Sequence, residues 1–366
     1  MKLINYNELL NEKNYILIDV RSPQEFMLEG IPGAINIPIL LDDERAEVGT
    51  AYKQTSPESA KILGIGFISK RLPEIFQEIN ALSKKYKKII FYCARGGMRS
   101  GSISSLFASL GYKVFKLNGG YKSYRDHVLK EIPVLNEGVK YVIIHGKTGV
   151  GKTKLLNSLE SKGFSVLDLE RMADHKGSFF GGLCEKRPQS QKRFESLLYD
   201  FFSKNKPKYV IAESESKRIG NVYVPESIYH SLLQGEHILA DTTIEHRVKI
   251  VMEDYTNTDK KAIEECILKL QRYATKEYVS TLLQLLEEDN LAEISKLLMT
   301  DYYDSLYQKS IDKYDFENVA FYETIPEGTE KVIAILEKFG ISNKIEEESV
   351  EVIEKETEEE SVEDIK

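Results

Sequence analysis

The sequence predicts an α/β chain of two parallel-sheet domains in series, the second carrying a helical extension. Three observations predict it. Short β-branched apolar runs alternate with helical segments through the first ~130 residues. The alternation restarts at Tyr141. Each series has a glycine-rich loop between a buried-type strand and a helix. The length of 366 residues agrees, at about 150 residues per domain.

In the first series, Ile16–Val20 reads as a strand, Glu25–Glu29 as a brief helix and Ala34–Ile39 as a second strand. Phe67–Ser83 has helical spacing, Lys88–Tyr92 reads as a buried strand, and Ser102–Leu110 as a helix ending at Gly111. Lys113–Leu117 and Tyr121–Lys130 give a further strand and helix. Pro133, Asn136 and Gly138 then break the pattern. The expected division is a domain over 1–132, a linker over 133–138 and a second domain over 139–343. In that second domain Tyr141–His145, Phe164–Leu169, Tyr209–Glu213 and His237–Asp241 read as strands, with a helix through Leu159. Residues 259–311 are helical in pattern, setting a helical region at about 245–312; Val319–Tyr322 and Lys331–Phe339 close the series as strand and helix.

Composition excludes several classes. Apolar residues make up 42% and charged residues 30%, enough for sizeable cores. No apolar run reaches 18 residues and Met1–Leu10 lacks a signal layout, so no membrane partner is expected. Cys93, Cys184 and Cys266 have neither a disulfide framework nor zinc spacing, and a reducing cytoplasm is the expected location. The net charge of −8 looks unfavourable for nucleic acid, but residues 344–366 hold 11 acidic residues and 3 lysines, so the other 343 are neutral. This Glu-rich tail lacks aromatics and is expected to be disordered.

The first chemical loop is Cys93-Ala94-Arg95-Gly96-Gly97-Met98-Arg99-Ser100, where a buried strand ends and a helix begins. Glycines let the backbone wrap around a ligand, and the helix N-terminus and arginines add positive potential. Such a setting favours a thiolate and cradles an anion, which makes Cys93 the candidate nucleophile and Arg95, Gly96, Gly97 and Arg99 the candidate anion-binding set. Together with Asp19-Val20-Arg21-Ser22-Pro23-Gln24-Glu25-Phe26 and Ile31-Pro32-Gly33-Ala34-Ile35-Asn36-Ile37-Pro38, this half resembles the rhodanese family, with Cys93 at the persulfide-forming position. Two departures stand out. Gly30 replaces a common histidine, and Arg99 lies six residues after the cysteine rather than five, as in the wider Cys-x5-Arg loop of dual-specificity phosphatases.

The second chemical loop, Gly146-Lys147-Thr148-Gly149-Val150-Gly151-Lys152-Thr153, satisfies G-x4-G-K-[ST], a pattern with odds of roughly one in a hundred of arising by composition. Backbone N–H groups of Gly146, Gly149 and Gly151 and the helix dipole suit a diphosphate, Lys152 its outer charge, and Thr153 a Mg2+ ion. Acidic candidates for a metal or substrate are Asp168, Glu213 and Glu215, each of which also suits a helix cap or surface charge. His175, Lys176, Arg187 and Arg193 lie in a glycine-rich basic stretch that suits a lid or an RNA contact, or simply a solvated loop.

The combination is more specific than either half. Residues 1–340 resemble the tRNA 2-selenouridine synthase family: a rhodanese-like domain followed by a P-loop NTPase-like domain. The resemblance is carried by Asp42–Gln54, the Cys93 loop, Leu167–Glu170 with His175–Ser178, and Glu213–Gly220. Lys176 stands where that family is expected to have arginine. The resemblance implies a transferase acting on the wobble 2-thiouridine of tRNA, with geranyl diphosphate and selenophosphate as co-substrates and an enzyme supplying selenophosphate as a further partner. It implies S-geranylation first, with the P-loop holding the diphosphate, and then selenium transfer at Cys93. Whether Mg2+ takes part stays open at this point. The rival readings are a sulfurtransferase fused to an ATP-dependent P-loop kinase or ATPase that does not act on RNA, and a non-catalytic ligand sensor.

Overall fold

A computed structural model of the chain describes residues 2–175, 189–255 and 259–343. It is an α/β protein that divides into two compact units. The first comprises Met1–Leu135 and Gln189–Lys204, the second Asn136–Pro188 and Asn205–Lys366.

The first unit is built on five parallel strands, β1 (Lys2–Ile4), β2 (Tyr15–Asp19), β3 (Ile35–Asn36), β4 (Lys88–Tyr92) and β5 (Val114–Leu117), in the order β1-β5-β4-β2-β3. Ile16, Leu17 and Ile18, and Ile89, Ile90 and Phe91, are buried, so β2 and β4 read as near-continuous apolar runs rather than alternating ones. The helices are α1 (Tyr6–Leu9), α2 (Pro23–Glu29), α3 (Asp42–Gln54), α4 (Pro57–Lys85), α5 (Met98–Ser109) and α6 (Gly120–Asn136).

Three expectations for this half change. The stretch Ala34–Ile39 pairs only over Ile35–Asn36. Helix α4 is longer than its Phe67–Ser83 apolar spacing suggests, because the Ser56 side chain accepts a hydrogen bond from the Ser59 N–H (3.0 Å) and Pro57 occupies the first turn. Helix α6 continues through Pro133 to Asn136, so much of the stretch read as a linker is helical.

Among its described residues the second unit has a sheet of four parallel strands in the order β11-β10-β6-β7: β6 (Lys140–His145), β7 (Tyr209–Glu213), β10 (Glu236–Asp241) and β11 (Asn318–Phe321). The short antiparallel pair β8 (Arg218–Ile219) and β9 (Val222–Tyr223) follows β7. Helices α7 (Lys152–Ser161) and α16 (Ile325–Lys338) supply Leu155, Leu156, Leu159, Val332 and Leu336 to one core with Val142, Ile144, Ile211 and Ile238. The predicted strand Phe164–Leu169 is not one. Only Val166 bridges Ile211, and Asp168 caps α8 (Leu169–Ala173) by accepting the Arg171 N–H at 2.8 Å, which turns the chain into a helix.

Helix α10 (Glu226–Gln234) precedes β10. Helices α11 (Ile244–Tyr255), α12 (Lys260–Lys269), α13 (Lys276–Glu287), α14 (Leu291–Leu297) and α15 (Asp304–Ile311) form the helical region, with a π-helical turn over Leu298–Tyr303. Cys266 lies in its core among Ile263, Ile267 and Leu282, and burial pushes its thiol up. Cys184 and the acidic tail lie outside the described residues.

Helix α9 (Gln191–Asn205) follows α8 in sequence, yet Gln189–Lys204 belongs to the first unit. Glu195 pairs with Arg125, the His127 Nε2 lies 2.9 Å from the Tyr199 hydroxyl, and the Tyr199 ring meets those of Tyr6 and Tyr124. These contacts, not chain order, decide where α9 packs.

Candidate active sites in the two units

In the first unit β4 delivers Cys93 to its C-terminal end, where the residue is buried. The Ser100 Oγ lies 3.2 Å from Cys93 Sγ. The loop is held from outside by α6: Tyr121 and Lys122 donate backbone N–H groups to the carbonyls of Cys93 (2.8 Å) and Ala94 (2.9 Å). This approach needs Gly120. Its φ is +61°, and a Cβ there would stand 2.2 Å from the Cys93 carbonyl oxygen. Lys116 Nζ donates to the Gly96 carbonyl at 2.9 Å.

Gly96 takes φ +62° and Gly97 caps α5, leaving the first-turn N–H groups of that helix at the loop. The two arginines differ. Arg95 is exposed and, among the described residues, makes no ion pair. Arg99 grips Glu25 through two nitrogens, at 2.6 and 3.2 Å. Burial works to raise the Glu25 carboxyl, but the Arg99 hydrogen bond and charge hold it below the usual carboxylate range. Asp19 and Arg21, from the leading motif, form a fully buried pair at 2.7 Å, with the guanidinium 4.4 Å from the Tyr121 ring centroid. That pair therefore meets the loop through Tyr121, whose backbone N–H holds the Cys93 carbonyl.

In the second unit the phosphate loop joins β6 to α7. Gly151 caps α7 at φ +88°, and a Cβ there would come 2.7 Å from Ile325 Cδ1. Gly149 packs beneath Met299 and Val251, and Gly146 against the Ala240 carbonyl. Lys152 Nζ donates to the Gly146 carbonyl at 3.0 Å. Thr153 is exposed on the first turn of α7. The far wall is an ion-pair network: the buried Arg247 donates Nε to the Thr148 carbonyl (2.8 Å) and clamps Asp304 at 2.9 and 2.5 Å, with Lys147 3.6 Å from the same carboxylate. His145, one residue before the loop, lies 2.9 Å from His237; burial, then that neighbour, push it down to about 3, so it is neutral at pH 7.

The acidic candidates separate. Asp168 is committed to capping α8 and to Arg171, 3.5 Å away. Glu213 and Glu215 stand at the end of β7 and meet Glu170 of α8, all three offering oxygens within 4.8 Å of one another. Glu213 is buried, and its Oε1 has no hydrogen-bond partner among the described residues. Burial and the neighbouring carboxylates push Glu213 well up, and Glu215 to about 8.

His175 packs against Gly220 of the β8–β9 turn. Arg193 lies on α9, its Nη1 donating to the Gly30 carbonyl at 3.4 Å, and so groups with the first unit. Lys176 and Arg187 lie outside the described residues. The structure adds Glu25, Ser100, Gly120, Glu170, Arg247 and Asp304. Glu25, Ser100 and Glu170 lie inside motifs already visible in the sequence and Gly120 just before a predicted helix; nothing in the sequence singles out Arg247 or Asp304.

Comparison with known proteins bears on these loops. Residues 5–127 match a family described as a rhodanese-like domain, and residues 139–296 one described as the tRNA 2-selenouridine synthase AAA domain. The tRNA 2-selenouridine synthase of Nitrosomonas europaea is 39% identical over 66% of this chain and 64% of its own. That of Hydrogenovibrio crunogenus is 35% identical over 66% and 68%, and that of Bdellovibrio bacteriovorus 35% over 70% and 69%. The chain belongs to the tRNA 2-selenouridine synthase family. The match spans just under two thirds of the Nitrosomonas protein's length. Among the described residues no helix is long and apolar enough to cross a membrane.

Proposed function

We propose that this member of the tRNA 2-selenouridine synthase family is a cytoplasmic transferase that replaces the sulfur of wobble 2-thiouridine in tRNA with selenium, in two steps. In the first, the thiocarbonyl sulfur attacks C1 of geranyl diphosphate; a C–S bond forms, the C–O bond breaks and diphosphate leaves. The phosphate loop receives that leaving group, with Lys152 opposing its developing charge. Alkylation turns a poor leaving group into one that departs as a neutral thiol. In the second step Cys93 attacks the phosphorus of selenophosphate, made by a separate enzyme; an S–P bond forms and the P–Se bond breaks, with Arg95 and the α5 N-terminus facing the phosphate, the released selenide forms a C–Se bond at C2 of the base as the C–S bond breaks and geranylthiol leaves, and water takes the phosphoryl group from Cys93 as phosphate.

The observation that carries this reading is the pairing, in one chain of this family, of a buried cysteine loop with a glycine-built phosphate loop. Mass spectrometry of tRNA nucleosides from cells carrying variants tests it. Cys93→Ala is expected to accumulate S-geranyl-2-thiouridine, and Lys152→Ala to retain 2-thiouridine. Nucleoside profiles identical to the wild type in both variants would sink it. ATP turnover by the purified protein, lost in Lys152→Ala, would favour a kinase or ATPase instead.

A further inference from the structure

The loop after β4 turns three of its carbonyls outward. Those of Cys93 and Ala94 receive the Tyr121 and Lys122 N–H groups, and that of Gly96 receives Lys116 Nζ. In a planar trans peptide the following N–H points the opposite way. The N–H groups of Ala94, Arg95 and Gly97 are therefore turned to the inside of the loop, and among the described residues they have no hydrogen-bond partner. The first turn of α5 adds further N–H groups where the loop ends.

The side chains complete an oxyanion cradle. Arg99 uses its two terminal nitrogens on Glu25 with one N–H each, which leaves three of its five N–H groups. Arg95 is exposed at the same loop. Such a donor set suits the oxygens of a phosphoryl group in transfer to Cys93 Sγ. The Ser100 hydroxyl, 3.2 Å from that sulfur, is placed to donate to it when it departs again as thiolate.

Expelling an ordinary alcohol from a phosphate ester takes a proton donor. The nearby carboxyls are committed elsewhere. Asp19 lies in its buried pair with Arg21, Glu29 pairs with Arg21 and Lys192, and Glu25 is held ionised by Arg99. A leaving group that is stable as an anion needs no such donor.

We propose that the Cys93 loop is also a phosphomonoesterase site, with aryl phosphates of acidic phenols as its substrate class. In the first half-reaction the Cys93 thiolate attacks phosphorus. An S–P bond forms, the P–O ester bond breaks, and its electron pair leaves on the aryl oxygen. In the second, water attacks the same phosphorus. A P–O bond forms, the P–S bond breaks, and the pair returns to the Cys93 sulfur beside the Ser100 hydroxyl; the water protons pass to phosphate and solvent. This activity shares its phosphocysteine with the selenium step proposed above, but it stands on the first unit alone and draws on neither tRNA nor selenium.

The test incubates the purified full chain with p-nitrophenyl phosphate, without tRNA, selenophosphate or any diphosphate, and follows phosphate release. Steady turnover is expected, lower by about a hundredfold or more in both Cys93→Ala and Cys93→Ser. The alkyl ester β-glycerophosphate should be slower than the aryl ester by a similar factor. Acid quenching of the wild type should leave a phosphoryl group on the peptide that holds Cys93. Ser100→Ala should slow turnover about tenfold while raising the phosphorylated fraction, and Ser100→Thr should restore both. Circular dichroism checks that each variant is folded. No turnover in the wild type, undiminished turnover in the Cys93 variants, or β-glycerophosphate as fast as the aryl ester overturns the proposal. Turnover as expected alongside wild-type nucleosides in Cys93→Ala cells would uphold this activity and remove the selenium step. No turnover alongside loss of 2-selenouridine in those cells would do the reverse.

Discussion

Ser100 places its hydroxyl oxygen 3.2 Å from the sulfur of Cys93, and both residues are buried at the junction of β4 and α5. The hydroxyl is thus positioned to donate to a thiolate, and a hydrogen bond to a charged group contributes about 1.5–3 kcal/mol. Ser100→Ala is expected to slow alkylation of Cys93 by iodoacetamide at pH 7 by about tenfold or more, followed by peptide mass mapping. Ser100→Thr, which keeps the hydroxyl, should recover much of the rate. Equal rates in wild type and Ser100→Ala would show that the hydroxyl leaves the sulfur unaffected.

Glu25 does two jobs, accepting the Ser22 N–H at the start of α2 and both Arg99 nitrogens. Glu25→Gln should lower the urea midpoint of the wild-type chain by an amount equivalent to about 1–3 kcal/mol at pH 7. Because the folded carboxyl titrates below its unfolded value, its contribution is fully present above the unfolded value and is lost as pH falls through the folded one. The gap between wild type and variant is therefore expected to shrink below about pH 4. A gap independent of pH would contradict the charged pairing.

Gly120→Ala sets a methyl group 2.2 Å from the Cys93 carbonyl oxygen at a backbone φ of +61°. Loss of about 2–4 kcal/mol and of Cys93 reactivity together is the expected outcome. Gly101→Ala, in the body of α5 with nothing within 4 Å of the added carbon, should be neutral or stabilising by up to about 1 kcal/mol. Thermal melts of the two variants make the comparison.

Asp304→Asn removes the charge that holds Arg247 and Lys147 against the back of the phosphate loop. Leaving the buried guanidinium without its carboxylate should cost about 3 kcal/mol or more and loosen the Thr148 carbonyl. The expected readouts are a lower melting temperature and several-fold weaker binding of inorganic pyrophosphate by calorimetry. Unchanged pyrophosphate affinity would mean that the network does not shape the loop.

Much of the fold was legible because two parallel sheets leave unmistakable apolar runs: β4 and β6 stand where Lys88–Tyr92 and Tyr141–His145 were read. Both loops announced themselves through glycine spacing. Phe164–Leu169 misled because a run of apolar residues cannot tell a strand from a stretch turned aside by one capping aspartate. The same residue competed for a chemical role that its cap and Arg171 already occupy, whereas Glu170, two positions on, reaches the cluster. Glu25 and Ser100 needed three-dimensional pairing across 74 and 7 residues to be recognised.

The placement of α9 has a consequence for how this protein is made. The chain passes between its two units three times, at Leu135, at Pro188 and at Lys204. A ribosome that has released residues 1–135 has released an unfinished first unit. Tyr6, Tyr124, Arg125 and His127 must wait for Glu195 and Tyr199. That unit closes only after β6, the phosphate loop and α8 have already emerged. No single cut in the gene separates the halves, so neither can be exchanged as one contiguous block.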